Sequence, residues 1–549
     1  MSNYTPPTRD MSFILNDVLG FQSDIVDAET LEAVLEEASK LASDVLAPLN
    51  WPGDQAGTKL ENGKVTTAPG FKEAYAQYCE GGWNAVPFTE DYGGQGLPYG
   101  VAFPVQEMWQ GANMSFGLCP LLNQGAVEAI LHHGSQEQKD TYLEKLISGE
   151  WTGTMNLTEP QAGSDLGLLK AKAVPADDGT YKITGQKIYI TYGEHDLAEN
   201  IIHLVLARLP DAPDDVKGIS LFIVPKILED GSRNDLKCTG IEHKLGIHAS
   251  PTCTMQFGDN GGATGYLLGE PHMGLKYMFT MMNNARLSVG LQGVAIADAA
   301  YQHAASYAAE RMQGKNFKSG ERVSIDHHPD VQRMLLTMRS QIEAGRALTY
   351  EAAVALDTWD HAKVGLLTPV VKSWCTDMAC EVTSIGVQVH GGMGFVEETG
   401  AAQFMRDARI LPIYEGTNGI QAADLVGRKV LYDKGAALTA YIELMQERAA
   451  DHAPAFAPHF EALEQAIAYL FTNVTDLDRV AAAASPFLKG LGILAGGALM
   501  AASMKAAEHL DDKEFAAAKI RTAQFYLGNI LPLAATQFEI AAGGNDFLD

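Results

Sequence analysis

The sequence predicts a mainly helical protein that carries one β domain in the middle of its chain. Apolar residues recur at helical spacing before about residue 150 and again after Pro271, as expected of amphipathic helices. Between these regions the apolar residues fall in short, alternating, β-branched runs separated by Gly, Asp and Pro, a pattern typical of strands. The predicted order is therefore helices, a β domain, and helices again.

The chain is long enough for several domains. It has 549 residues, a mass of 59.0 kDa and 46% hydrophobic residues, which is ample material for a large core. The shifts in periodicity and composition define four regions. They are an N-terminal helical domain (1–155), a middle β domain (156–272), a C-terminal helical domain (273–434) and an Ala-rich helical extension (435–549).

The first region contains two clear helical patterns. Residues 27–50 place Leu31, Leu35 and other apolar residues on one helix face, and the run AVEAILHHGSQEQKDTYLEKLISG does the same further along. Between them, TEDYGGQGLPYG (Thr89 to Gly100) is rich in glycine, but it lacks the GxGxxG spacing and the strand and helix of a dinucleotide-binding unit. We predict a turn there.

The later regions are also patterned. Four strands are predicted in the middle region, at residues 181–193, 200–209, 218–227 and 252–259. Three long helices are predicted after them, at residues 274–312, 328–357 and 368–389. The first is either one helix or two nearly continuous ones, and the second has a proline where Pro suits a first turn. In the extension, breaks are expected near HAPAFAPH and GLGILAGG.

The charge and the cysteines restrict the classes of partner. The net charge is -28, with 40 Lys and Arg against 68 Asp and Glu, which argues against nucleic acid and anionic membrane because both reward clustered cations. The six cysteines show no CxxC pair and no zinc-like spacing with His, so they predict reduced thiols and no metal site.

The sequence favours a soluble, cytoplasmic protein with no integral membrane segment. The opening MSNYTPPTRD is polar and lacks the apolar core of a signal peptide. The most apolar run, Leu491 to Met504, is too short and too rich in glycine for a spanning helix, which needs about 20 residues.

One stretch, IYEGTNGIQ (Ile413 to Gln421), carries an acid in a sequence that cannot continue a helix smoothly. Glu415 is followed by Gly416, which allows the backbone to approach a ligand closely. Thr417 and Asn418 can cap the helix that follows, and a helix start is a ready anion site. Alone, Glu415 is equally compatible with an ordinary exposed loop, and only its relation to other motifs favours a chemical role.

Five motifs occur together in this chain: LTEPQAGSD, KIYIT, VHGGMGF, MRDARI and IYEGTNGIQ. In this order and at this separation they resemble the acyl-CoA dehydrogenase family, over roughly residues 30–432. The resemblance implies an N-terminal helical domain, a β-barrel-like middle domain and a C-terminal four-helix bundle, with 435–549 as an extra helical extension.

The resemblance also implies bound FAD. Thr158 is similar to the residue that bonds the flavin pyrimidine edge, and Ser164 to a residue near both the cofactor and the CoA thioester arm. KIYIT resembles the strand that places an aromatic residue, here Tyr189, over the isoalloxazine and a threonine, here Thr191, beside N5. From the residues alone, a capped turn at Ser164 and a half-buried strand aromatic at Tyr189 remain equally compatible.

Further cofactor and substrate contacts follow from the same resemblance. Arg311 matches the arginine that meets the FAD pyrophosphate, which suits its forked donors. Gln388, Gly391 and Gly392 match the segment that closes on the cofactor of a neighbouring subunit, which implies a homodimer. Arg286 matches the helix arginine near the CoA arm. The sequence departs from the commoner pattern after Arg311, where many members have a Phe-Gly pair.

By resemblance Glu415 is the catalytic base. It would take the α-proton of the acyl-CoA while its own backbone N–H binds the thioester carbonyl. Tyr414 would line the acyl pocket, Gly416 would lie against the substrate, and Thr417 would lie at the cofactor. Some members place the base directly before the CoA-side arginine instead, but Ala285 occupies that position here.

The family resemblance leaves the electron acceptor and the acyl chain open. The leading prediction is a dehydrogenase that passes electrons to an electron-transfer flavoprotein; alternatives are an acyl-CoA oxidase of the same fold and a DNA-associated flavoprotein, which the net charge disfavours. The opening YTPPTRDMSFILNDVLG, the ERMQG variant and the extension resemble members that oxidise 3-methylmercaptopropionyl-CoA in dimethylsulfoniopropionate breakdown. The alternative is a general medium- or long-chain enzyme.

Overall fold

The N-terminal region of the computed structural model is mainly helical, as predicted. The structure describes residues 4–316, 318–543 and 548. The helices of this region are α1 (Thr8–Phe13), α2 (Ala28–Lys40), α3 (Ala47–Ala56), α4 (Phe71–Glu80), α5 (Tyr99–Ala112), α6 (Met114–His133) and α7 (Gln136–Ser148). A short hairpin of β1 (Lys59–Glu61) and β2 (Lys64–Thr66) lies between α3 and α4.

The second predicted helical run is in fact two helices, α6 and α7. Gly134 ends the first, and Ser135 begins the second with a capping box. The Ser135 hydroxyl accepts a hydrogen bond from the Gln138 N–H at 3.2 Å, and the Gln138 side-chain oxygen accepts one from the Ser135 N–H at 3.0 Å. The periodicity continues across this break, which is why hydrophobic spacing alone did not show it. The glycine-rich segment before α5 is a turn, as predicted, with Thr89 capping a short 3-10 turn.

The middle region forms one eight-stranded sheet that closes into a barrel-like ring. Its strands are β3 (Trp151–Asn156), β4 (Lys172–Pro175), β5 (Tyr181–Thr191), β6 (Asn200–Arg208), β7 (Ile219–Pro225), β8 (Leu236–Ile241), β9 (Thr252–Phe257) and β10 (Ala263–Leu268). Strand β10 pairs with both β7 and β5, so the ring β10-β7-β6-β4-β5 has no free edge between them. This confirms the predicted β-barrel-like domain.

Strands β6 and β7 do not alternate between buried and exposed residues as predicted. Every residue of β7 is buried, as is every residue of β6 except Arg208. Apolar residues of both strands share a core with residues of α6 such as Val127 and Ile130. These strands are therefore covered on both faces, and their runs are continuously hydrophobic rather than alternating.

The region after the β domain is a bundle of long helices. Its elements are α8 (Gly274–Glu310), β11 (Met312–Lys315), β12 (Arg322–Ser324), α9 (Pro329–Asp357), α10 (His361–His390), α11 (Ala401–Ala408) and α12 (Asn418–Asp424). Helix α8 is a single helix of 37 residues, which decides between the two predicted alternatives. Pro329 occupies the first turn of α9, as predicted. Helix α10 begins before the predicted start and contains Pro369 inside it.

Two glycines let α8 lie directly against α10. A Cβ atom on Gly290 would come within 2.4 Å of the Val371 side chain, and one on Gly293 within 2.5 Å of the Cys375 carbonyl oxygen. Only a residue without a side chain fits at either position. The two helices that carry Arg286 and Lys372 are therefore held in a close and fixed arrangement.

In the described part of the extension there are five α-helices, namely α13 (Ala436–Arg448), α14 (Ala453–Thr472), α15 (Leu477–Ala507), α16 (Lys513–Asn529) and α17 (Leu533–Gly543). The break expected at GLGILAGG was wrong, because these residues lie inside the 31-residue helix α15. A Cβ on Gly492 would lie 2.5 Å from the Trp374 ring, and one on Gly496 would lie 2.6 Å from the Tyr526 hydroxyl oxygen. The glycines make room for large neighbours rather than ending the helix.

Helix α15 is the one described helix that is long and apolar enough to span a membrane by length and composition. However, 89% of its apolar window is buried inside the protein. The apolar run Leu491 to Met504, by itself too short to span a membrane, is thus part of the longer helix α15. The apolar faces of this helix are covered by other parts of the protein.

The chain forms two compact units that do not coincide with the sequence regions. One contains Met1–Ser39, Pro98–Gly111 and Arg286–Asp549, and the other contains Lys40–Leu97 and Ala112–Ala285. The boundary between the units falls inside α8, between Ala285 and Arg286. The extension belongs to the same unit as the helical bundle, and the β domain belongs to the same unit as α6 and α7.

Candidate active site

Glu415 lies in a tight loop between α11 and α12. The Asn418 N–H donates to the Pro412 carbonyl at 3.0 Å, so the loop is closed at its base. Glu415 has a φ of 55° and Gly416 a φ of 83°, both in the left-handed region. An L-residue such as glutamate adopts this conformation at an energetic cost, and such strain often occurs at functional sites. The backbone of Glu415 is therefore fixed by the loop, and the residue is half-buried.

Burial raises the pKa of the Glu415 carboxyl above its ordinary value, and the positive charges of Arg286 and Lys372 partly oppose that increase. A carboxylate in this setting is a stronger base than a solvated one. Catalytic bases have pKa values shifted toward the operating pH in this way. The electrostatics of the site thus suit proton abstraction by Glu415.

Arg286 lies over the turn that follows Glu415. Its side chain is 6% exposed, and its NH1 atom is 3.9 Å from an Asp424 oxygen on α12. A Cβ added to Gly416 would come within 3.6 Å of the Arg286 NH2 atom and within 2.9 Å of the Gln421 amide nitrogen. Gly416 is therefore required both for its backbone conformation and for the space that it leaves beside a cation. Arg286 and Gly416, each predicted to contact the substrate, thus lie close together.

Tyr414 is fixed by a chain of buried amides that the sequence analysis did not identify. Its hydroxyl donates to the side-chain oxygen of Gln292, and the Gln292 amide donates to Gln110 at 3.0 Å. Burial raises the pKa of the Tyr414 hydroxyl well above its usual range, so the group stays protonated. Because a single sequence gives no signal that two distant glutamines meet, only the structure could show this.

Thr417 caps helix α12, as predicted for a restarting helix. Its hydroxyl accepts a hydrogen bond from the Ile420 N–H at 3.3 Å. The helix begins at Asn418, directly after this cap. The role of Thr417 toward a cofactor stays a prediction, since its observed contact is this cap.

Thr158 and Tyr189 lie on neighbouring segments of the β domain. The Ile188 N–H donates to the Thr158 carbonyl at 2.9 Å. Tyr189 lies at an irregularity in the pairing of β5 with β9, has a φ of 60°, and is 60% exposed. A large aromatic residue held in a strained conformation with an exposed ring is well suited to stack on a flat ligand. Tyr189 is thus more exposed than the half-buried strand aromatic that the sequence left open, and its contact with the flavin stays a prediction.

A buried ion pair organises these two motifs, and the sequence analysis assigned neither member. Lys187 of KIYIT donates to a carboxylate oxygen of Glu159 in LTEPQAGSD at 2.8 Å. The Glu159 carboxylate also accepts hydrogen bonds from the N–H groups of Lys170 and Ala171, at 2.7 and 3.0 Å, and from the Gln161 side-chain amide at 2.7 Å. Burial lowers the pKa of Lys187 to about 8, and the Glu159 charge opposes that lowering. The charged residues of the two motifs thus join the LTEPQAGSD segment to the KIYIT strand.

Ser164 and Thr191 flank these residues. Ser164 is exposed in the loop after Ala162, and Asp165 beside it accepts a hydrogen bond from the Gly167 N–H at 3.0 Å. The Thr191 carbonyl accepts a hydrogen bond from the Thr154 hydroxyl at 2.7 Å, while its side chain is half-buried. The turn predicted at Ser164 and Asp165 is present, and both hydroxyl groups remain near the surface.

Gln388, Gly391 and Gly392 lie at the exposed end of α10. A Cβ on either glycine would meet no atom within 4 Å, so their backbone is open to a ligand or to another molecule. His390 beside them is buried between the rings of His303 and Tyr307, with centroids at 4.7 and 4.5 Å. This stack anchors the end of the helix.

Arg311 is exposed directly after the end of α8 and before the β11–β12 hairpin. Its N–H donates to the Tyr307 carbonyl, and its own carbonyl accepts from Ile325, both at 2.9 Å. The backbone of Arg311 is thus fixed. Its guanidinium lies at the surface, as the predicted role toward a pyrophosphate requires.

Known protein families match almost the whole chain. Residues 28–150, 154–260 and 272–431 match the profiles described as acyl-CoA dehydrogenase, N-terminal domain, middle domain and C-terminal domain. Residues 435–548 match acetyl-CoA dehydrogenase C-terminal like. The chain belongs to the acyl-CoA dehydrogenase family. It is an FAD-dependent oxidoreductase, and the predicted fold class is confirmed.

Two curated relatives and one solved structure illustrate the similarity. The chain is 47% identical to 3-methylmercaptopropionyl-CoA dehydrogenase of Ruegeria pomeroyi, over 96% of both chains. It is 36% identical to a butyryl-CoA dehydrogenase of Syntrophomonas wolfei, over 96% of this chain and 95% of the relative. The fold is similar to that of an acyl-CoA dehydrogenase complexed with FAD from Bacillus anthracis, with a TM-score of 0.77, 22% identity, and coverage of 99% and 94%.

The residues of this acyl-CoA dehydrogenase fit FAD. The exposed ring of Tyr189 offers a flat apolar face for the isoalloxazine, and the hydroxyls of Thr158 and Thr191 have the donor and acceptor chemistry of its polar edge. The open glycines after α10 and the exposed Arg311 have the chemistry that a pyrophosphate requires. Within residues 4–316, 318–543 and 548, no three His, Cys, Asp or Glu side chains could hold a metal ion.

Proposed function

We propose that this protein converts a short acyl-CoA thioester to the trans-2-enoyl-CoA, with Glu415 as the base that takes the α-proton. The observation that carries the proposal is the setting of Glu415. Its carboxylate is half-buried, held in a left-handed turn, and has a pKa raised by burial. Such a group accepts a proton from a weak carbon acid more readily than a solvated carboxylate does.

The loop also offers a donor for the thioester oxygen. Within the described residues the Glu415 N–H makes no hydrogen bond, so it is available to a carbonyl oxygen that gains negative charge as the α-proton leaves. Arg286 beside Gly416 supplies a positive charge near the same loop. Bound FAD supplies the acceptor for the hydride that leaves the β-carbon. Removal of the proton and stabilisation of the oxyanion are then both functions of one strained loop.

We propose 3-methylmercaptopropionyl-CoA as the preferred substrate. The relative of that name is 47% identical over 96% of the chain, extension included. A methylthio chain is close in shape to a butyryl or pentanoyl chain, and its sulfur is soft and apolar. Butyryl-CoA is the second candidate, because a butyryl-CoA dehydrogenase is 36% identical over a similar length.

The substrate preference predicts a ranking of kcat/KM. We expect the highest kcat/KM for 3-methylmercaptopropionyl-CoA and a much lower one for palmitoyl-CoA. The value for butyryl-CoA should be within about 10–200-fold of the highest, since one methylene in an apolar pocket is worth about 1–3 kcal/mol. Anaerobic bleaching of the flavin by each thioester gives the single-turnover rates. A maximum at palmitoyl-CoA would reject the substrate and leave the reaction class intact.

The same reduced enzyme identifies the electron acceptor. We propose an electron-transfer flavoprotein in the cytoplasm, as the family resemblance implies. Slow reoxidation in air and fast reoxidation by an added electron-transfer flavoprotein support this assignment. Fast reoxidation in air alone would instead indicate an acyl-CoA oxidase.

We also propose that the protein is a homodimer through the surface after α10. Met393, Phe395 and Val396 are 49%, 89% and 40% exposed in this short segment, beside the open Gly391 and Gly392. Exposed apolar residues that cluster in one place mark interaction surfaces. This surface lies beside residues that would meet the cofactor of a second copy.

The dimer predicts a mass in light scattering of twice the 59.0 kDa chain mass. Phe395→Asp is expected to shift the protein toward the monomer and to weaken FAD binding, because it places a charge in the apolar surface. Met405→Asp is the control, since Met405 is also an exposed apolar residue, at 47%, but lies on α11, outside the segment that follows α10. A monomeric, FAD-saturated wild-type protein would exclude the dimer.

A further inference from the structure

Lys372 on α10 is a buried cation without an ordinary partner. Its side chain is 0% exposed, and within the described residues it forms no ion pair with a carboxylate. Its ammonium donates one hydrogen bond, at 2.9 Å, to the side-chain oxygen of Asn418. An unpaired buried charge costs several kcal/mol. A lysine at this position therefore requires an explanation other than stability.

Asn418 connects this lysine to the catalytic loop. Its side-chain nitrogen donates to the Ser373 carbonyl at 3.2 Å and to an Asp377 oxygen at 2.8 Å, and its side-chain oxygen accepts from Lys372. The Thr376 hydroxyl also lies within hydrogen-bond distance of the Asn418 side-chain nitrogen and oxygen, at 3.0 and 3.3 Å, and all four partners are on α10. Asn418 is also the residue whose N–H closes the loop on Pro412. Asn418 therefore attaches the Glu415 loop to α10, and one of the hydrogen bonds that it forms there comes from Lys372.

We propose that Lys372 is a positioning residue for Glu415. Through Asn418 it holds the loop in its strained conformation, and its positive charge acts on the Glu415 carboxylate from the α10 side. This inference rests on the proposed role of Glu415 as the base. It gives the lysine a function that neither the motifs nor the substrate contacts assign.

The charges around Lys372 are arranged consistently with this role. Burial lowers the pKa of Lys372 to about 7. The carboxylates of Glu415 and Asp377 oppose this lowering, whereas the positive charge of Arg286 adds to it. Conversely, the charges of Arg286 and Lys372 lower the pKa of Glu415, against the effect of burial. On α12, Asp424 faces Arg286, and on α15 the charge of Lys489 acts on Asp377. Among the residues that the structure describes, Arg286 and Lys372 are thus the two cations whose charges act on Glu415.

A definite consequence follows for the acid limb of the pH profile. When a nearby positive charge is removed, the ionised carboxylate is less favoured and its pKa rises. Glu415 is then protonated at a higher pH, and a protonated glutamate cannot accept the α-proton. Loss of Lys372 must therefore move the acid limb of kcat/KM to higher pH, whereas a merely structural lysine would leave the limb in place.

Two substitutions separate the charge from the hydrogen bond. Lys372→Gln removes the charge but keeps an N–H donor, and Lys372→Met removes both at similar length. We expect both to move the acid limb of kcat/KM to higher pH by about one unit, the size typical of losing one nearby opposite charge. Only Lys372→Met is expected to lower kcat further, by about tenfold relative to Lys372→Gln, because the loop is no longer held. Both are measured on the FAD-loaded protein with butyryl-CoA.

Lys489→Met is the matched control. It removes a cation that acts on Asp377 from α15, but Lys489 is exposed and is not among the charges that act on Glu415. Its acid limb should coincide with that of the wild type. The proposal is overturned if the acid limb of the kcat/KM profile of Lys372→Gln coincides with that of the wild type. This variant is sufficient for the test even if Lys372→Met does not fold. Failure of the Glu415 assignment would be seen separately, as retained turnover in Glu415→Gln.

Discussion

Glu415→Gln is expected to lower kcat by a factor of about 10²–10⁴, the usual contribution of a general base, without loss of the fold or the yellow colour. Glutamine has nearly the same volume and leaves the backbone turn at Glu415 and Gly416 unchanged. It cannot accept a proton. The measurement is the rate of flavin reduction in a single turnover with butyryl-CoA, together with the bound FAD per chain.

Glu415→Asp is the informative companion variant. It keeps the carboxylate but shortens its reach by one methylene, so its activity should lie between the wild type and Glu415→Gln. A positive φ is tolerated by aspartate at least as well as by glutamate, so the loop should form in both variants. If Glu415→Gln retained more than a few per cent of the wild-type rate, the base would have to be another residue.

The sequence predicted the parts of this site that lie within short motifs. Adjacent residues in the sequence identify Glu415 together with its glycine and its capping threonine. They likewise identify the aromatic residue of KIYIT. The structure adds that both Glu415 and Tyr189 have a positive φ, at 55° and 60°. A positive φ at a non-glycine residue cannot be recognised in a single sequence. The motifs therefore predicted which residues form the site but not their backbone conformation.

The parts that sequence reasoning missed all depend on contacts between distant positions. Lys372 and Asn418 are 46 positions apart, and Gln292 and Tyr414 are 122 apart. Neither pair has a spacing that indicates contact. The glycines of α15 were misinterpreted for a related reason, since glycine marks a helix end or a close approach equally well, and only the neighbouring Trp374 decides between them.

The helical extension is joined to its unit by a buried network of charges. Lys519 on α16 contacts the carboxylates of Asp10 on α1 and Glu343 on α9, the latter at 2.7 Å. Arg346 on α9 bonds the other oxygen of Asp10 at 2.7 Å and a Glu107 oxygen on α5 at 2.7 Å. Opposite charges thus alternate through four helices. The neighbouring cations lower the pKa of Asp10 to about 2 despite its burial.

Lys519→Met is expected to lower the free energy of unfolding by about 3–5 kcal/mol, because it leaves two buried carboxylates without their shared cation. The melting temperature and the release of residues 435–549 by a protease measure the effect. Since the wild-type Asp10 pKa is depressed, its contribution to stability is complete above pH 3.8 and is lost as the pH falls through about 2. The variant should lose part of this dependence.

The double variant Asp10→Asn with Lys519→Met tests whether the charge, rather than the packing of α16, is responsible. It removes one of the two carboxylates that the single variant deprives of Lys519, so part of the lost stability should return. Lys513→Met is the surface control, because Lys513 lies at the exposed start of α16 and donates a hydrogen bond to the Leu510 carbonyl, not to a buried carboxylate. If Lys519→Met melted like Lys513→Met, the extension would be held by its apolar contacts alone, and the buried charges would contribute little to joining α16 to α1 and α9.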